Sequence, residues 1–161
     1  MRARLTGFTL IELVVVIVIL GILAATALPR FAALQTQARI AKLNGALGAV
    51  KGAAALAHGA CLATQGAAPC TTAAFNLPME GLNVTLINQY PTADQNGIIA
   101  AAGLTITPAE GFATTVGGAG AGAAIDVQVL GNTPATCFFT YTNPAVAGNA
   151  PTYSAPTTTG C

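Results

Sequence analysis

Gly7-Phe8-Thr9-Leu10-Ile11-Glu12-Leu13 opens an apolar run that continues to Leu28 and stops at Pro29. Residues 8–28 carry one charge in 21 positions, Glu12, and it lies inside the run rather than at its edge. About 20 apolar residues span a bilayer core roughly 30 Å thick, so the run has the length of a membrane helix. Length leaves the carboxylate unexplained. An ionisable group at membrane depth costs about 3 kcal/mol or more and normally faces a partner or a pathway.

The flanks narrow the choices. A cleaved secretory signal would use a shorter apolar core and a small-x-small site, which Ala25-Thr26-Ala27 offers. Against it stand the early Glu12, the length of the run and the nearby Pro29. A plain anchor accounts for the length but gives Glu12 no role. A Glu that merely snorkels to the interface is the simplest structural account of that residue. Arg2 and Arg4 in the short leader favour a cytoplasmic N-terminus with the remainder outside, and Arg30 on the far side weakens that bias without reversing it.

At 161 residues the chain has the size of one domain. Only 7% of residues are charged and 53% are hydrophobic, a composition ill suited to a free soluble monomer. All six basic residues (Arg2, Arg4, Arg30, Arg39, Lys42, Lys51) fall in the first 51 positions, and four of the five acids (Glu80, Asp94, Glu110, Asp126) fall later. So sparse a basic set does not point to direct nucleic-acid binding. The four cysteines, Cys61, Cys70, Cys137 and Cys161, form no C-x-x-C pair, and His58 is the only histidine, so the spacing of a metal site is absent. Behind a membrane-directing N-terminus they suggest two disulfides in an oxidising compartment. Four cysteines admit three connectivities. Cys61 with Cys70 and Cys137 with Cys161 is favoured because each bridge closes a local loop.

Helical periodicity extends past the membrane run to about residue 57. Gly21 and Pro29 are the breakers, and a kink or looser helix is expected there rather than two helices. Some 50 residues at 1.5 Å each make a rod of about 75 Å. Ile40, Leu43, Leu47, Val50 and Ala54 form a bulky stripe suited to packing under a sheet. Phe31, Leu34, Ala38, Ala41, Gly45, Gly48, Gly52 and Ala55 form another that becomes progressively small and would let another backbone approach. Arg39, Lys42 and Lys51 decorate this half as a solvated face or, with Arg30, as candidate contacts to neighbouring subunits. His58-Gly59-Ala60-Cys61 reads as the helix end, with His58 placed to favour the helix dipole. Residues 59–82 read as a disulfide-tied connector, and Asn88-Gln89-Tyr90-Pro91 and Asn96-Gly97 as turns. Strands are expected at 112–116, around Ile125-Val127-Val129 and at 136–142, with residues 153–161 a surface loop returned by the Cys137–Cys161 bridge.

The Gly7–Leu13 motif, after a basic leader and before an apolar run, resembles the class III signal of type IV pilins and their pseudopilin relatives. The resemblance implies that a prepilin peptidase cuts after Gly7 and methylates the new amine of Phe8. It also implies that Glu12 of one subunit pairs with the Phe8 amine of a neighbour, so that both charges are offset only on assembly. The words VVVIVILGILAATALPRF, LQTQAR, GAVKGAAALAHGAC and NQYP look like the mannose-sensitive haemagglutinin branch of these pilins. The implied fold is the α+β type IV pilin fold: a long N-terminal helix, about 8–57, on a small three- or four-stranded antiparallel sheet. Residues 1–7 would be the leader, 8–28 the transmembrane and filament-core half, and 29–161 the exported head.

The implied function is structural, a subunit of a helical homo-oligomeric filament used for adhesion, motility or DNA uptake. Its partners would be other copies, the peptidase and the pilus assembly machinery. It would wait in the bacterial inner membrane before assembly and be extracellular afterwards, with no cofactor and no metal. A membrane-anchored periplasmic enzyme is the remote alternative, and the sequence shows no triad, paired acids or phosphate loop to support it. A type II secretion pseudopilin is the nearer alternative. The acidic calcium loop often found in those proteins has no counterpart here, because residues 127–161 contain no Asp or Glu. A minor pilin is a further rival, although retention of Glu12 suits a repeatedly incorporated subunit better.

Overall fold

A computed structural model describes residues 7–64, 70, 75–115, 117–131 and 133–161. Residues 1–6, with Arg2 and Arg4 of the expected leader, lie outside that set, as do 65–69 and 71–74 of the expected connector and Val116 of the first expected strand. The chain divides into two units, Met1–Gln37 and Ala38–Cys161.

One α-helix, α1, runs from Leu10 to Ala63 and contains both Gly21 and Pro29. Its start is fixed locally. Thr9 Oγ1 accepts from the Glu12 backbone N–H at 3.3 Å, and the Glu12 carboxylate accepts from the Thr9 N–H at 2.9 Å. This reciprocal pair is a capping box, which satisfies two N–H groups that the first turn cannot. Within the first unit every large apolar side chain from Phe8 to Leu23 is exposed. Nothing in that unit covers them.

The second unit folds around the later part of α1. Leu43, Ala46, Val50, Ala53, Ala54, Ala57 and Cys61 are buried at helical spacing. The bulky stripe therefore faces the sheet, and Ile40 and Leu47 pack at its margins. Gly45, Gly48, Gly52 and Ala55 of the small stripe are exposed. The helix continues six residues past the expected end at 57, because Gly59 is tolerated and Cys61 is drawn into a second core with Ala57, Cys70, Leu77 and Leu86. His58 is consequently not at the helix end. Its ring stacks on Tyr90 at 4.3 Å, with Nδ1 3.3 Å from the Gln89 carbonyl.

The strands form two antiparallel sheets where one was expected. The first has the order β1 (Phe75–Met79), β2 (Leu82–Ile87), β3 (Tyr90–Pro91). It occupies part of the stretch read as connector and turn, and covers the second core through Leu77 and Leu86. The second has the order β4 (Phe112–Thr114), β5 (Ala124–Val129), β6 (Phe138–Thr142), β7 (Thr152–Tyr153). Here Ile125, Val127 and Val129 point inward while Asp126 and Gln128 do not, the alternation of a half-buried strand. Phe139 and Tyr141 of β6 complete the main core against Leu43 and Val50. Asn96-Gly97, expected as a turn, lies in a single π-helical turn, Gln95–Ile99, capped by the Asp94 side chain on Gly97 N–H at 2.7 Å. A side chain at Gly97 would run into the Thr92 backbone, so only glycine fits.

Candidate assembly site

Gly7, Phe8 and Thr9 precede α1, and Phe8 is 79% exposed. Phe8, Ile11, Glu12, Val15 and Val16 line one shallow groove on the first turns of the helix. Oε2 of Glu12 accepts both the Thr9 N–H and the Thr9 hydroxyl, at 2.9 and 2.7 Å. Among the described residues nothing bonds Oε1. The carboxylate thus has one oxygen fixed by its own helix and one left open beside apolar side chains. An ammonium group brought to that oxygen would gain a short charge-assisted bond. Thr9 is the site residue that sequence reading missed, although the Thr-x-x-Glu spacing of Thr9-Leu10-Ile11-Glu12 is a readable capping signal.

The basic residues divide. Arg39 Nη1 donates to the Cys161 main-chain oxygen at 2.8 Å. Lys42 Nζ donates to the Glu110 carbonyl and lies over the Phe112 ring, 4.3 Å from its centroid. Lys51 lies 5.5 Å over the Tyr153 ring. Each of these three cations therefore has an intramolecular partner on the head. Arg30 is exposed on α1.

Cys61 is bonded to Cys70, and Cys137 to Cys161. The first bridge ties the end of α1 to the chain entering the first sheet. The second anchors the final segment, which does more than loop over the surface. It supplies β7, and Thr157 N–H and Gly160 N–H donate to Phe138 O at 2.8 Å and Thr136 O at 3.0 Å. No three His, Cys, Asp or Glu side chains converge as a metal-binding cluster among the described residues.

One comparison with known proteins falls on the same N-terminal segment. Residues 2–28 match the model of the prokaryotic N-terminal methylation motif. The chain is similar to the type IV narrow pilus major component PilA5 of Thermus thermophilus, with 54% identity over 57 residues. That stretch is 35% of this chain and 47% of the relative, so the match spans about half of the relative's length. No solved structure matches the chain.

Proposed function

We propose that this chain is a structural subunit of a type IV pilus-like filament, cut after Gly7, methylated at Phe8 and polymerised through its N-terminal helix. The observation that carries the reading is the methylation motif over residues 2–28, with Glu12 five positions into the chain that cleavage would leave. Similarity to a pilus major component over 57 residues supports it. The exposed apolar surface of residues 8–28 suits both a bilayer before assembly and a bundle of neighbouring helices after it. The protein does no chemistry of its own. It holds charges where a second copy can neutralise them.

On this reading the chain sits in the inner membrane with its N-terminus cytoplasmic, and its head meets an oxidising compartment. Its partners are other copies, a prepilin peptidase and the assembly machinery. Within the pilins we place it nearest the mannose-sensitive haemagglutinin branch, on the sequence words quoted above.

Glu12→Gln tests the reading. The amide preserves the shape of the side chain and can still accept from Thr9, but it offers no charge to an amine. The expected result is a loss of sheared surface filaments of about tenfold or more, with the membrane-bound subunit at its normal level. Filaments at the wild-type level would remove Glu12 from assembly.

A further inference from the structure

The second unit has a cleft of mixed polarity that its own cores do not fill. Leu56 of α1 is 69% exposed and Leu82 of β2 is 54% exposed. Together with Met79, Ala100 and Ala101 they wall a cleft of about 140 Å³, and Glu80 closes its edge. Glu80 and Gly81 form the two-residue turn between β1 and β2, since Met79 pairs with Leu82. Both turn residues have positive φ, 47° and 83°. Turns of this kind ordinarily take Asn, Asp or Gly. The sequence instead places a longer carboxylate there, exposed beside two exposed leucines.

The chain also carries the complement. Of the four basic residues after Gly7, three are engaged by the head, as described above, and Arg30 is exposed with no bond among the described residues. Phe31 and Leu34, 62% and 63% exposed, follow it on the same helix at positions i+1 and i+4. One surface therefore presents Arg30 beside Leu34 at i+4, with Phe31 on the other side of Leu34. The other presents an anion flanked by two leucines and a methionine.

We propose that a second copy of this chain docks on the cleft, with its Phe31 and Leu34 against Leu56, Met79 and Leu82 and its Arg30 guanidinium on the Glu80 carboxylate. The inference rests on the filament reading above and specifies one of its lateral contacts. Two different patches meet in it, so the contact does not close on a dimer and can propagate as an open helical array. The apolar groups supply the attraction, and the charge pair fixes the register of one copy on the next.

The test uses the full-length chain in a producing bacterium, comparing sheared filament yield with the membrane-bound pool. Arg30→Glu and Glu80→Lys should each lower the yield about fivefold, and the double exchange should restore it to within about twofold of wild type. A photo-reactive residue at Leu56 in the otherwise wild-type chain should cross-link to the segment 30–34 of another copy. Wild-type yields from both single variants, a double variant no better than either single one, or cross-links that map elsewhere would overturn the contact while leaving the filament reading standing. Absence of filaments from the wild-type chain would overturn both.

Discussion

The Tyr141 hydroxyl donates to the Pro91 carbonyl at 2.7 Å, tying β6 of one sheet to β3 of the other from a fully buried position. Burial first, then the neighbouring Tyr153 and Tyr90, holds this phenol far above its ordinary range. An unfolded tyrosine titrates near pH 10, so above about that pH the folded state holds a proton that the unfolded state has lost. The stabilising contribution is complete below pH ~10 and declines as the pH rises further. Tyr141→Phe should therefore cost about 1 kcal/mol at neutral pH through the lost bond and flatten the alkaline loss of stability. Thermal unfolding of the detergent-solubilised full chain at pH 7 and pH 11 measures both. At Glu12 the role proposed toward a neighbour comes from the motif, whereas its bonds to Thr9 were legible in the Thr-x-x-Glu spacing and were passed over.

At the scale of the element, α1 shows what a sequence pattern can and cannot specify. The bulky stripe through Leu43 and Val50 was legible because burial of one face imposes helical spacing on large side chains. The end of the helix was not, since Cys61 is held by Leu77, Leu86 and Cys70, which arrive from later in the chain. The first sheet escaped notice for a local reason: Pro78 and Gly81 read as loop, although Leu77 pairs with Val84 across a two-residue turn. The exposed glycines of the small stripe make a prediction that separates the subunit from its assembly. Nothing lies within 4 Å of a side chain added at Gly45, Gly48 or Gly52. Gly48→Ala should therefore stabilise the subunit by about 1 kcal/mol, read as a raised unfolding temperature. Gly48→Leu should leave the subunit folded and lower filament yield, because the added bulk meets only a neighbouring copy.

At the scale of the whole molecule, the first unit offers an uncovered apolar helix, and the second has two cores and two disulfides. The α+β class was legible from one long helical period followed by short alternating strands, but the division into two sheets was not. The Cys137–Cys161 bridge spans 24 residues and holds the segment that supplies β7. Replacing both cysteines with serine should lower stability by about 3 kcal/mol, and reductant should lower the unfolding temperature of the wild-type chain in the same direction. Assembly through Glu12 requires the chain to begin at Phe8. Mass spectrometry of the subunit in filaments sheared from the cell surface tests this most directly. The expected chain starts at N-methylated Phe8 and retains Glu12; a chain that starts at Leu28, or that keeps the leader, would contradict assembly by this route.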